Sequence, residues 1–178
     1  MQLQIRALLI ASIAAAAANA QVTVMMSQDA SSGVGNADSV ISSSQATSDF
    51  GRWTAFASAA SDLVASDTNN AWDVFVRDRA GSSTLRVSVS SSGAQATGDS
   101  GWGGNAGTFQ EGVAISPLGR YVVFPSRASG LVTGASNVFS DIYLHDRDAD
   151  LDGALDEPGA VSTVRVTVST IGGNPNGN

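Results

Sequence analysis

The chain repeats itself, and the repeat limits what it can fold into. Residues 51–79 align without a gap on residues 119–147, an offset of 68, with twelve identities over 29 positions. The identities run from Gly51/Gly119 and Arg52/Arg120 through Phe56/Phe124, Ser58/Ser126, Leu63/Leu131, Asn69/Asn137 and Asp73/Asp141 to Asp78/Asp146 and Arg79/Arg147. Similarity resumes at 85–90 against 164–169. Chance gives scattered matches in a Ser- and Gly-rich chain, but not one register held over that length. Recurrence at such a period marks one supersecondary unit stacked on its own copy.

Each unit reads as short β-strands. Residues 45–50 and 112–116 lead into the corners Ser48-Asp49-Phe50-Gly51 and Ser116-Pro117-Leu118-Gly119, where Pro at the second position and Gly at the fourth suit a type I turn. Residues 53–57 and 121–124, then 74–76 and 142–144, are apolar without alternation, as in strands buried on both faces. In the last strand Leu85, Val87 and Val89 alternate with Arg86, Ser88 and Ser90, and Val164, Val166 and Val168 do likewise, which marks one wet face. Four antiparallel strands graded from doubly buried to half-exposed form a β-propeller blade, covered near the axis by its neighbours. The expected fold is therefore all-β, with about two blades and an N-terminal outer strand. That outer strand is Val22-Thr23-Val24-Met25-Met26, and Asp38-Ser39 echoes Asp99-Ser100 before the next unit. The divisions are 1–20, 21–44 (outer strand and linker), 45–111 (first blade and linker) and 112–178 (second blade and truncated linker). A ring takes about four to eight blades, so this one is incomplete, and a fragment of a larger propeller is expected.

These residues resemble a known family. Gly51-Arg52-Trp53-Thr54-Ala55-Phe56-Ala57-Ser58, Asp67-Thr68-Asn69 and Asp73-Val74-Phe75-Val76-Arg77-Asp78-Arg79, with Gly119–Phe124 and Asp141–Arg147, are similar to the TolB-like, WD-type β-propeller repeat of exported bacterial proteins. The resemblance implies a scaffold that binds a protein, peptide or glycan, usually with six or more blades and no catalytic set of its own. This chain departs from the pattern in blade number, and Ala135 stands where the first unit has Asp67.

The N-terminus agrees with export. Arg6 precedes a run from Ala7 to Ala18, and Ala18-Asn19-Ala20 has the small-x-small pattern of a signal-peptidase site. The run is shorter than the roughly 20 residues that span a bilayer. No cysteine follows for lipid attachment, and a mature chain starting near Gln21 in the periplasm or outside the cell is expected. No stable membrane insertion is expected of the rest. The absence of cysteine also removes disulfides, thiol catalysis and thiolate metal sites. Nine Arg and no Lys against 16 acidic residues, a net charge of −7, argue against nucleic acid, which needs a basic surface.

The sharpest local signal is an insertion of eleven residues before the last strand of the second unit. Its core, 148–157, places Asp148, Asp150, Asp152 and Asp156 at loop positions 1, 3, 5 and 9, with Gly153 at 6. That spacing suits calcium, because alternate carboxylates converge on a hard cation while glycine permits the reversal. Ala154 would offer its carbonyl at position 7. Gly159 takes the place of the usual bidentate Glu, leaving Glu157 or water to complete the shell. Five carboxylates in ten residues repel one another, and a solvated acidic loop is the plainer reading of the same residues.

The other polar residues point to construction. Asn69/Asn137 and Asp73/Asp141 suit loop fixing, while Asp78-Arg79 and Asp146-Arg147 suit turn closure or pairing with a neighbouring blade. His145, the only histidine, aligns with Arg77 and is expected on a solvent-facing strand position. No strained G-x-S-x-G turn accompanies it, so no catalytic residues are assigned. Trp102, in the linker 93–111, is a candidate contact for a glycan or peptide. The expectation is thus a calcium-stabilised, exported binding module. Its alternatives are part of a secreted hydrolase whose catalytic residues lie elsewhere, and a structural repeat that self-associates through open blade edges.

Overall fold

The computed structural model describes residues 23–41, 43–101, 112–134 and 139–169. Among the described residues, apart from a single 3-10 turn at Asp49–Gly51, the regular structure is β. Sheet 1 comprises β1 (Ser39–Val40), β2 (Trp53–Ser58), β3 (Asp73–Asp78) and β4 (Ser83–Arg86). Sheet 2 comprises β5 (Ala114–Ile115), β6 (Tyr121–Ser126), β7 (Asp141–Asp146) and β8 (Ser162–Arg165). Both sheets are antiparallel and run in sequence order. Their registers coincide at the offset of 68: Trp53 faces Asp78 as Tyr121 faces Asp146. The two-unit, four-stranded, propeller-like architecture expected from the repeat is therefore the observed one.

The innermost strand is built in two pieces. In sheet 1, β1 pairs with the end of β2, and Thr47 bridges Thr54 nearer its start. In sheet 2, Ser100 bridges Ser126 and β5 pairs nearer the start of β6. The sequence expectation of 45–50 and 112–116 captured the second piece; the Asp38-Ser39 echo of Asp99-Ser100 marks the first. Its physical basis is a repeated hydroxyl knot. Ser58 donates to the Asp38 carbonyl (3.0 Å), accepts from the Ala60 amide (3.0 Å) and meets Ser39 (2.9 Å). Ser126 does the same with Asp99 (3.2 Å), Ala128 (2.9 Å) and Ser100 (2.8 Å). Buried hydroxyls need such partners, which explains why these serines are among the identities.

The sheets pack face to face. One apolar cluster joins Ala55, Ala57, Val74, Val76 and Val87 of the first unit with Val122, Phe124, Leu131 and Tyr143 of the second. Small residues on one side receive the stacked Phe124–Tyr143 pair from the other (centroids 6.1 Å apart). The equivalent aromatic pair of sheet 1, Phe56–Phe75 (5.8 Å), lies on its opposite face with Ala60 and Leu63. Each sheet thus carries an aromatic face, and at the seam that of sheet 2 stacks on the Ala55, Ala57, Val74 and Val76 face of sheet 1, whereas the opposite face of sheet 2 carries the larger Val123, Pro125, Ile142 and Leu144.

Four expectations are corrected. Residues 23–26 form no strand, because among the described residues no neighbouring strand pairs with them; Val22 lies outside the described residues. The last strands span Ser83–Arg86 and Ser162–Arg165 rather than 85–90 and 164–169. Beyond them the chain bends, although Val87 and Val166 still donate to the Val74 and Ile142 carbonyls. The corner at Ser48–Gly51 is not a type I turn, since Phe50 sits at φ 59, in the left-handed region that a type I turn does not use. β7 also departs from the doubly buried pattern, alternating buried Asp141, Tyr143 and His145 with half-buried Ile142, Leu144 and Asp146.

Candidate functional site: the acidic loop and its cleft

The β3–β4 turn takes four residues, 79–82, whereas 147–161 joins β7 to β8. Both connections are anchored alike at their start. Asp78 accepts from the Ala80 amide (2.9 Å) and Asp146 from the Asp148 amide (3.1 Å). Arg52 and Arg120 clamp these carboxylates (3.0 Å and 2.6 Å). The clamp sets the charges. The hydrogen bond from Arg120 holds the Asp146 carboxyl below the usual range. Burial pushes Asp78 up, but Arg52 and two backbone amides outweigh it, and the net shift is downward. The guanidinium of Arg120 is held charged well above its ordinary value by Asp146.

Within the loop, the buried carboxylate of Asp148 accepts from the Asp152 and Gly153 amides (3.1 and 3.4 Å). Leu151 (φ 68) and Gly153 (φ 92) are left-handed, and the reversal they make folds the loop back over Asp148. The result brings Asp148, Asp150 and Asp152 together, one oxygen from each lying within 4.8 Å of the others. Glu157 is exposed, and its carboxyl is pushed up chiefly by repulsion from Asp152, with Asp150 and Asp148 adding to it. Four of the sequence-assigned residues therefore share one field of negative charge.

The remaining two are placed differently. Asp156 is held by Arg147, whose Nε donates to Oδ1 (2.8 Å) and whose Nη2 donates to Oδ2. Arg147 also donates from Nη1 to the Gly119 carbonyl (2.6 Å), so this pair ties the loop to the neighbouring corner. The Ala154 amide donates to Asp152 Oδ1 (2.8 Å). Trp102, Ala135 and Asn137 lie outside the described residues, as do the leader at 1–20 and the C-terminal run 170–178.

His145 is corrected: it is buried, 1% exposed, at the seam between the sheets. Its Nδ1 lies 2.8 Å from the Thr163 hydroxyl, which donates to the Val89 carbonyl (2.6 Å). Burial lowers its pKa to about 4; Asp156 and Asp146 act against that shift and Arg147 adds to it. The aligned Arg77 does the same work with a longer side chain, reaching Thr84 and the Gln28 and Asp29 carbonyls.

Two features escaped sequence reasoning. One wall of a 650 Å³ cleft is the acidic loop, through Asp148 and Gly153–Asp156; Trp53, Leu85, Leu118 and Arg52 line the rest. Arg52 stacks over the Trp53 ring at 4.1 Å. The second is a buried ion network: Arg86 Nη1 lies 3.4 Å from Asp67 and 3.6 Å from Asp73. Asn69 donates to Asp73 (3.0 Å), Ser88 donates to its other oxygen, and burial raises its pKa. The cation these carboxylates meet is the chain's own Arg86, and Asn69 and Asp73 are loop fasteners as expected. The Asp67–Ala135 difference was the only sequence signal of that network. Among the described residues no helix is long and apolar enough to cross a membrane. No family model, no curated protein and no solved structure matches the chain.

Proposed function

We propose that this chain is an exported propeller-type repeat module that binds a protein, peptide or glycan, and that calcium orders its 148–157 loop. The observation that carries the calcium reading is the convergence of Asp148, Asp150 and Asp152 within 4.8 Å, with Glu157 repelled by the same group. Carboxylates crowded in this way gain from a hard cation, and oxygen-only donors suit calcium. The ion would be held by these three Asp residues, with Glu157 and water completing the shell. Asp156 serves the loop through Arg147 instead. The binding reading rests on the cleft beside the loop, where an indole, three leucines and charged groups meet, a mixture of apolar lining and a few polar groups suited to ligand recognition. Export rests on Arg6, the Ala7–Ala18 run and Ala18-Asn19-Ala20.

The test is thermal melting of the mature chain with millimolar calcium and with chelator. For an extracellular site with a dissociation constant of ~0.1 mM, stabilisation at ~1 mM calcium is about 1.4 kcal/mol. That corresponds to a rise of about 3–6 °C for a domain of this size. Asp148→Ala with Asp150→Ala and Asp152→Ala abolishes the rise. No rise in the unmodified chain, or an equal rise in the triple variant, removes the site.

A further inference from the structure

We propose that the twin corners bearing Phe50 and Leu118, together with the acidic loop beside them, dock a partner protein through a segment whose apolar side chains are flanked by Lys or Arg. This names the partner of the cleft and rests on the binding reading above. The two corners are the same place in the two units, at the offset of 68. The Asp49 amide donates to the Pro117 carbonyl (2.9 Å), which joins them. Each tip presents a large apolar side chain to solvent: Phe50 is 100% exposed and Leu118 78%. A single exposed leucine is ordinary on a protein surface. Phe50 is not, because its backbone is left-handed (φ 59, ψ 10), a conformation that Gly, Asn or Asp takes at less cost than an aromatic residue. Its side chain gains no burial in return. The fold thus holds a phenyl ring in water at a position better suited to a small polar residue, and a gain from outside the chain accounts for it.

The surroundings specify the partner. Leu118 also lines the cleft, with the 41% exposed Leu85 and the loop wall Gly153–Asp156, so an apolar contact made on the corners continues inward onto leucine. The indole of Trp53 is not free as a platform for a sugar ring. Arg52 lies over it at 4.1 Å, and the Gly119 backbone abuts it so closely that a Cβ there would come within 2.3 Å. That favours a peptide over a glycan. Charge supplies the rest. The three arginines of the cleft are each matched, Arg52 by Asp78, Arg120 by Asp146 and Arg147 by Asp156. Asp148, Asp150, Asp152 and Glu157 form no ion pair among the described residues, and the last three of these are exposed. Four unmatched carboxylates beside an apolar rim complement a cation next to an apolar group, and they repel an acidic segment.

Fluorescence anisotropy of short labelled peptides with the mature chain is the test, run in chelator so that calcium plays no part. A peptide of alternating Leu and Lys binds, while peptides of alternating Leu and Glu or of alternating Ser and Lys bind about tenfold more weakly or not at all. Phe50→Asn with Leu118→Asn weakens the Leu–Lys peptide by about tenfold or more. The same variant melts about 2–4 °C higher, because Asn suits the left-handed backbone, so its loss of binding is not a loss of fold. Asp150→Asn with Asp152→Asn and Glu157→Gln also weakens binding. Equal binding of either control peptide, wild-type affinity in the corner variant, or no binding of the Leu–Lys peptide overturns the proposal. Leu85→Ser separates it from the cleft reading. Leu–Lys binding that survives Leu85→Ser keeps the corner surface and removes the cleft beneath it. A neutral glucose oligosaccharide whose binding is lost in Leu85→Ser but not in the corner variant keeps the cleft and overturns the corners.

Discussion

His145 shows how one side chain is fixed by its surroundings. The Thr163 hydroxyl has a single proton and gives it to the Val89 carbonyl (2.6 Å), so its oxygen can only accept at the 2.8 Å contact with Nδ1. Nδ1 therefore carries a proton, and because burial lowers the pKa to about 4 the ring is neutral above that pH, with Nδ1–H as its tautomer. Unfolding returns it to the ordinary 6.5. Between those values the unfolded chain binds a proton that the folded chain refuses, so stability falls as pH drops from 6.5 to about 4 and this contribution is flat below. The difference is on the order of 3 kcal/mol. Asp78 and Asp146, whose values are lowered, lose their contribution at more acid pH. Asp73, raised by burial, acts in the opposite sense because protonation relieves it. Urea unfolding across that window is expected to show the loss in the wild type and a flatter profile in His145→Gln. Identical profiles would mean that the ring is not held neutral at the seam.

At the scale of the strand and the turn, the corners decide how closely the sheets approach. Gly119 sits at φ 80, and a Cβ there would lie 2.3 Å from the Trp53 ring. The indole is rigid and already held by Arg52 at 4.1 Å, so it cannot move aside freely. Gly119→Ala is expected to cost about 1–3 kcal/mol from overpacking beyond the roughly 1–2 kcal/mol of the left-handed backbone. Gly153→Ala, at φ 92 with no atom within 4 Å, carries only the backbone part. Equal losses in urea unfolding would show that the Trp53–Gly119 contact does not hold the seam. The repeat made Gly51/Gly119 and the middle strands legible, since apolar runs and turn residues act locally. The acidic loop was legible for the same reason: alternate carboxylates and Gly153 are neighbours in sequence. His145 was misplaced because burial at a seam depends on the facing sheet, which local pattern does not carry. Asp156 was assigned to a cation on spacing alone, whereas Arg147, nine residues away, holds it. The cleft stayed hidden because Trp53 and Leu118 come from different units and meet only when the sheets stack.

Across the whole molecule, one rule accounts for most of the burial. A small-residue face receives an aromatic face, hydroxyl knots at Ser58 and Ser126 fix the inner strands, and a Thr hydroxyl crosses to the preceding unit's carbonyl. On the far side of sheet 1 Phe56 and Phe75 are buried as well, whereas Val166 and Val168 beyond sheet 2 stay half exposed. The chain contains no cysteine, and a single introduced thiol can therefore report burial without background. The most direct measurement is the rate of thiol labelling of Val87→Cys and Val166→Cys at a concentration low enough to keep the chain monomeric. The account expects rapid labelling at position 166 and strong protection at position 87, where reaction must await opening of the seam. Equal rates at the two positions would contradict the stacking of the repeat on which everything else rests.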